Sequence, residues 1–148
     1  TALNDVVISR AGYARLITVK ASVENDLVAR YMVDGLIVST PTGSTGYSLS
    51  AGGPIVCPEV ECILLSPVCP HSLQHRPVVA GASQVITVEL DCEPEQRVQL
   101  DVDGKIVCKL NTCESITIQR SEKTAKLIRF GTESFFHRIR DKLSEWSC

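Results

Sequence analysis

A run of hydroxyl-bearing residues marks the part of this 148-residue chain whose residue types are best suited to chemistry. Seven of the eleven residues in 40–50 are Ser, Thr or Tyr, and Gly43 and Gly46 stand among them. Hydroxyls, backbone N–H groups and glycines that permit close approach suit a ligand rich in ribose and phosphate oxygens. The alternative is an N-cap cluster, in which Ser44 or Thr45 only begins a helix.

The apolar pattern around this loop indicates the elements that position it. An apolar run at 35–39 predicts a strand before the loop, and the glycines after residue 50 predict the end of a short helix. Asp103-Gly104 lies between alternating runs at 98–102 and 105–110, which predicts a hairpin with a type I′ turn. Similar patterns predict further strands at 6–9, 16–23, 27–33, 62–66, 85–90, 115–120 and 126–130.

A second, longer helix is predicted at about 133–145. Its apolar residues recur at three- and four-residue steps, which predicts one buried stripe formed by Phe136, Ile139, Leu143 and Trp146. Many short strands with frequent turns favour a mainly β fold, β-sandwich-like, with one short helix and a C-terminal amphipathic helix. Residues 1–148 are interpreted as a single domain.

Composition excludes several classes of function. The net charge is −2 and Lys and Arg are scattered, which argues against nucleic acid as a partner. No apolar run reaches the ~20 residues that cross a bilayer, and no signal peptide opens the sequence. The seven cysteines form no Cys-x-x-Cys pair, so we expect thiols rather than disulfides or a metal site. A cytoplasmic protein is the expectation.

Residues 40–48 closely resemble the TPTGSTAYS motif of NAD kinases, with glycine at position 46 where that family usually has alanine. Other segments resemble the same family in the same order along nearly the whole chain. They are Asn4-Asp5, Asp34-Gly35, Cys69-Pro70-His71-Ser72-Leu73 with Arg76-Pro77, Asp103-Gly104-Lys105, and the terminal helix.

The resemblance implies an NAD site. Asn4 and Asp5 would take an adenine edge and a ribose diol, Thr45 would offer a hydroxyl or amide to adenine, and Tyr47 would cover the ligand with its ring. Asp34 would contact NAD near its nicotinamide half or across a subunit boundary. The complete set of implied contacts is Asn4, Asp5, Asp34, Thr45, Gly46, Tyr47, Ser48, Leu49 and Ser50.

Plainer alternatives stay open for these residues. Asn4-Asp5 is also a typical turn pair before a strand, and Asp34 could belong to a simple Asp-Gly turn. Four weaker candidates for NAD contact are Arg15, Met32, Ser44 and Lys105. Arg15 is equally a solvated strand residue, and Lys105 stands at a contact position that is commonly Gln. Met32 brings no charge to a position that is often basic or small, so a preference between NAD⁺ and NADH stays open.

The resemblance also implies a reaction, in which ATP or polyphosphate, with Mg²⁺ or another divalent metal, phosphorylates the 2′-hydroxyl of the adenosine ribose of NAD. The Gly-Gly-Asp-Gly-Thr motif of the family's N-terminal α/β domain does not occur in this sequence. We therefore expect a C-terminal NAD-binding domain without a catalytic residue or metal site of its own, inactive alone. Its expected partners are the N-terminal domain and further copies of itself.

Two alternative functions stay open. One is a relative of the diacylglycerol and sphingosine kinases, which phosphorylate lipids and should present an apolar cleft. The other is a non-catalytic β-sandwich interaction module that keeps the loop only for folding.

Overall fold

Ten strands and two helices make up the protein in a computed structural model that describes residues 1–12, 15–72, 74–91, 96–128, 130–131 and 133–145. The strands are β1 Asp5–Arg10, β2 Ile17–Val23, β3 Asp26–Val33, β4 Gly35–Ser39, β5 Cys62–Val68, β6 Val78–Gly81, β7 Ile86–Leu90, β8 Val98–Val102, β9 Lys105–Leu110 and β10 Ser115–Ile118. A 3-10 turn at Thr42–Thr45 leads into the one-turn helix α1, Tyr47–Ser50, and the chain continues to helix α2, Phe135–Glu145.

The strands form two antiparallel sheets. The larger sheet has the order β6-β5-β4-β1-β8-β9, and the smaller has the order β10-β7-β2-β3. Their inner faces share one apolar core. The larger sheet contributes residues such as Ile8 and Leu36, and the smaller sheet contributes residues such as Val19 and Val88, all fully buried. The prediction of a mainly β, sandwich-like fold is therefore confirmed.

The outer face of the larger sheet is also largely covered around β4. Successive side chains of a strand point to opposite faces, yet every residue of β4 is buried. The 3-10 turn and α1 follow β4 directly, and the hydroxyls of Ser48 in α1 and Ser66 in β5 are hydrogen bonded at 2.8 Å. The hydroxyl-rich loop therefore lies on the outside of this sheet, next to β1.

The predicted hairpin is confirmed in its details. Val102 pairs with Lys105, so Asp103 and Gly104 are the two turn residues between β8 and β9. Both have positive φ, 48° for Asp103 and 75° for Gly104. This is the requirement of a type I′ turn.

The structure differs from the predicted set of strands in two places. The four-residue edge strand β6 was not predicted, because so short a run carries little periodicity. A strand at 126–130 was predicted wrongly, since no strand is present in the described residues of that segment. Leu127, Ile128 and Phe130 are exposed by 61%, 81% and 97%. These residues have high β propensity, but they form a strand only where a neighbouring strand can bury their side chains.

The C-terminal helix forms where it was predicted, but its apolar stripe is not buried as predicted. The Ser134 hydroxyl accepts a hydrogen bond from the His137 N–H and so caps the helix start. Phe136 is exposed by 68% and Leu143 by 37%. Leu143 and Ile139 line an open groove, whereas Phe136 does not face it. Trp146 lies outside the described residues. Among the helices of the described residues, none has the length and apolar character needed to cross a membrane.

Candidate functional site

A groove of about 330 Å³ opens on the outer face of the larger sheet, where the hydroxyl-rich loop meets β1 and the β8–β9 turn. We call it the strand groove. It contains four of the predicted contacts, Asn4, Asp5, Gly46 and Tyr47, together with Val7, Ser9, Asp101, Asp103 and Gly104.

The loop reaches this groove because it docks closely on the segment before β1. The Thr40 N–H donates to the Asn4 carbonyl at 2.9 Å, and the Thr40 hydroxyl donates to the Leu3 carbonyl at 2.7 Å. A Cβ atom built on Gly43 would lie 2.1 Å from the Asn4 carbonyl oxygen. Only glycine fits at that contact, so the first glycine of the loop sets the distance between the loop and Asn4.

The carboxylate of Asp103 fixes the same segment from the other side. It accepts hydrogen bonds from the backbone N–H groups of Leu3, Asn4 and Asp5 at 2.8, 2.7 and 3.2 Å. Burial acts to raise the pKa of Asp103, but these three donors outweigh it and hold the pKa below its ordinary value. The sequence predicted a turn at Asp103 but not this anchoring role. The local sequence carries no signal for this role, because the three partners lie about a hundred positions away.

Asp5 is the buried acid of the groove, with 8% exposure. Burial, and secondly the charge of Asp103, raise the pKa of the Asp5 carboxyl above its ordinary value. A buried carboxylate gains by accepting two hydrogen bonds from a ligand, such as those of the vicinal hydroxyls of a ribose.

We predict opposite pH dependences of stability for Asp5→Asn and Asp103→Asn. The lowered pKa of Asp103 means that its charge stabilises the fold above about pH 3.8, and that this contribution is lost as the pH falls through the lowered value. Because Asp103 is exposed and solvent screens its interactions, Asp103→Asn should cost only ~0.5–1 kcal/mol at neutral pH, and the difference should disappear in acid. The raised pKa of Asp5 means that ionised Asp5 disfavours folding at neutral pH, so Asp5→Asn should stabilise there and not at pH 3.

Urea unfolding of the two variants and the parent across this pH range measures the effect. The variants serve as controls for one another because each replaces one carboxylate by an isosteric amide. Equal pH dependence for both would show that the two carboxyls do not occupy different environments.

Tyr47 forms a wall of the strand groove and is half exposed, at 49%. The neighbouring Gly46 has no side chain between Tyr47 and Asp5. A Cβ atom there would lie 3.3 Å from the Gly43 carbonyl oxygen and 4.0 Å from Asp5 Oδ2. Tyr47 is thus an exposed aromatic side chain in the groove lining, a residue type on which a flat ligand ring can stack.

Other loop residues lie away from the strand groove. Ser44 and Ser48 are fully buried, and their hydroxyls bond the backbone of Val56 and the hydroxyl of Ser66. Ser50 is exposed on α1 and lines neither of the two grooves described here. Because the loop curls through a 3-10 turn and one helical turn, its side chains point in several directions.

Thr45 and Leu49 face a second groove of about 430 Å³, which we call the helix groove. It lies between the loop and α2. Its other lining residues are mostly apolar, with two cations: Thr42, Ile55, Pro58, Leu127, Phe135, Arg138, Ile139, Lys142 and Leu143.

Asp34 lies at the opposite end of β1 from Asp5. Its carboxylate pairs with Nε of Arg10, the last residue of β1. Arg10 is five residue steps from Asp5 along the strand, or about 17 Å. The structure therefore does not bring Asp34 into the strand groove of the same chain. Arg15, Met32 and Lys105 also lie outside both grooves, although Lys105 follows the groove residue Gly104.

Sequence reasoning missed a polar cluster on the groove floor. The Ser9 hydroxyl donates to Asp101 Oδ2 at 3.2 Å, and Gln99 Nε2 donates to both oxygens of that carboxylate at 3.4 and 3.1 Å. Ser9 and Asp5 share one face of β1, because residues two and four apart along a strand point the same way. The alternating pattern of the predicted strand was the sequence signal that could have placed Ser9 on this face.

Comparison with known proteins shows the family to which this chain belongs. Residues 3–130 match the family model described as the ATP-NAD kinase C-terminal domain. A protein of Geobacter sp. (strain M21) named NAD kinase is 45% identical over 95% of this chain and 49% of its own length. Another of that name from Thermoanaerobacter sp. (strain X514) is 44% identical over 97% of this chain and 50% of its own length. The chain thus spans about half the length of these relatives.

Solved structures show the same relationship. A yeast NADH kinase complexed with NADH superposes with a TM-score of 0.77 at 34% identity, over 85% of this chain and 36% of that one. An NAD kinase from Archaeoglobus fulgidus in complex with ATP gives 0.70 at 36% identity, over 82% of this chain and 46% of that one. Neither the lipid-kinase nor the interaction-module alternative gains support here. Because the family match covers most of its length, this chain belongs to the NAD kinase family and corresponds to the C-terminal domain of that family.

Proposed function

We propose that this chain forms the dinucleotide-binding part of an NAD kinase. The whole enzyme would transfer a phosphoryl group from ATP or polyphosphate to the adenosine-ribose 2′-hydroxyl of NAD. One observation carries the proposal: two segments far apart in sequence, Asn4-Asp5 and Gly46-Tyr47, meet in one groove.

The strand groove offers the chemistry that an adenosine needs. The Asn4 side chain is exposed and carries both an amide donor and an amide acceptor for a base edge. The buried Asp5 carboxylate accepts ribose hydroxyls, and the Tyr47 ring covers the base or sugar. Thr45 turns its side chain to the helix groove, so its contribution to adenosine would come from its backbone.

Asp34 would contact the NAD bound by a second copy of the chain. It lies about 17 Å along β1 from Asp5, too far for one nucleoside to contact both. In a homo-oligomer, the Asp34 end of one copy, which includes Met32, would complete the strand groove of another copy, where Lys105 follows the groove residue Gly104. β3 and β9 are two of the four edge strands in the described part of the chain, and copies could pair at them.

The rest of the enzyme would supply the phosphoryl donor and the metal. Phosphoryl transfer needs an in-line donor, Mg²⁺ to spread the developing charge, and a positioned acceptor. Among the residues described here, no group of three or more His, Cys, Asp or Glu side chains could hold a metal ion. We therefore assign to this chain the placement of the acceptor ribose, and to an N-terminal domain the donor site and the metal. The cytoplasm is the proposed compartment, following the thiol argument.

We predict that this chain alone forms no NADP above background from NAD, ATP and Mg²⁺. An enzymatic cycling assay for NADP measures this with high sensitivity. A full-length relative such as the Geobacter NAD kinase is the positive control. Steady NADP formation by the chain would contradict the assignment of donor chemistry to another domain.

NAD binding depends on the Tyr47 ring in this proposal. Tyr47→Ala should weaken NAD binding at least ~5-fold, because stacking of a base on an aromatic side chain contributes ~1–3 kcal/mol. Tyr47→Phe keeps the ring and should lose no more than ~3-fold. Isothermal titration of the parent and both variants measures the two effects. An intact fold that binds no NAD would instead favour the interaction-module alternative.

A further inference from the structure

The strand groove has charges of only one sign. Its lining includes the carboxyl groups of Asp5, Asp101 and Asp103, and no Lys, Arg or His is among its described lining residues. A concave surface with charges of one sign focuses its field on whatever enters it. A ligand group with positive charge is favoured there over the same group without charge.

Asp101 lies farther along the groove than the proposed adenosine contacts. It pairs with Val7 across β1 and β8, and Val7 is two residues beyond Asp5 on the same face of β1. This spacing puts Asp101 about 7 Å along the strand from the level of Asp5. Hydrogen bonds from Ser9 and Gln99 hold its carboxylate in place, so its charge has a fixed position.

The other two acids lie nearer the proposed adenosine contacts than Asp101 does. Asp103 accepts three backbone N–H groups and anchors the segment before β1. Asp5 lies below Gly46, next to the Tyr47 ring, where the adenosine is proposed to bind. Asp101 is therefore the acid left to face the second half of a dinucleotide.

We propose that Asp101 is a specificity-determining residue that makes the groove prefer NAD⁺ to NADH; this inference rests on the proposed function. The nicotinamide ring of NAD⁺ is a cation and that of NADH is neutral, while the two molecules are otherwise nearly identical. A carboxylate near the ring attracts only the oxidised form. It also accepts a hydrogen bond from the carboxamide of either form, which raises both affinities without discriminating between them.

The test is the ratio of the NADH and NAD⁺ dissociation constants. Both ligands are titrated into this chain and into Asp101→Asn and Asp101→Glu at low salt. The parent should favour NAD⁺, and Asp101→Asn should reduce that preference at least ~3-fold. Asp101→Glu keeps the charge and should keep most of the preference.

Failure of the inference can be distinguished from failure of the proposed function. Binding of both ligands with the same ratio in the parent and Asp101→Asn would overturn only the inference. Binding of neither ligand by the folded parent would overturn both.

If Asp101→Asn does not fold, the salt dependence of binding to the parent chain tests the inference instead. Its preference for NAD⁺ should decrease between about 0.02 M and about 0.5 M salt, because screening weakens the attraction. A ratio that does not depend on salt would contradict the role of Asp101.

Discussion

Gly43→Ala should abolish measurable NAD binding and lower the free energy of unfolding by ~2–3 kcal/mol. The added Cβ would lie 2.1 Å from the Asn4 carbonyl oxygen, 2.5 Å from its carbon and 2.8 Å from the Asn4 Cα. All three are backbone atoms, and Asp103 and Thr40 hold that backbone by hydrogen bonds. The loop must therefore move away from β1, which separates Tyr47 from Asn4 and costs the energy of overpacking.

Gly46→Ala is the matched control, three residues along the same loop. Its Cβ would meet only the Gly43 carbonyl oxygen, at 3.3 Å, and the Asp5 carboxylate, at 4.0 Å. We expect a change in stability within ~1 kcal/mol and retained NAD binding. Urea unfolding and NAD titration of both variants give the comparison. If Gly43→Ala binds NAD as the parent does, close docking of the loop on Asn4 is not what forms the groove.

Gly53→Ala should also be strongly destabilising, by ~2–3 kcal/mol. The new Cβ would lie 2.3 Å from the Ser48 hydroxyl, 2.8 Å from the Ser48 carbonyl oxygen and 2.9 Å from the Ser66 hydroxyl. These two hydroxyls form the buried hydrogen bond that holds α1 on the sheet. Thermal unfolding with calorimetry measures the loss.

A double-mutant cycle with Ser48→Ala identifies its cause. Removing the Ser48 hydroxyl deletes the closest of the three contacts, so Gly53→Ala should cost less in that background. The rescue should be partial, because the Ser48 carbonyl contact remains. Strict additivity of the two substitutions would contradict a steric clash at this hydroxyl pair.

The strands could be predicted well because their signal is local. Alternation at 98–102 and 105–110 with Asp-Gly between them specifies a hairpin without information from elsewhere, and its turn formed as predicted. The run at 126–130 shows the limit of this reasoning. Its residues favour a strand, but pairing and burial depend on neighbours that the local sequence does not reveal.

The site could be predicted only in part for the same reason. Motif chemistry identified Asn4, Asp5, Gly46 and Tyr47, which meet in one groove. It could not show that the Ser48 hydroxyl turns inward to Ser66, because that direction depends on how α1 packs. The anchoring role of Asp103 was likewise hidden, since its partners are about a hundred positions away in the sequence.

Titration of NAD⁺ into the isotope-labelled chain, followed by backbone amide NMR signals, tests the central claim most directly. We predict saturable shifts concentrated at Asn4, Gly46, Tyr47 and Gly104, all of which line the strand groove. Signals from α2, such as that of Arg138, should change little. Saturable shifts confined to the helix groove, or no shifts at all in the folded chain, would contradict the assignment of the strand groove as the adenosine site.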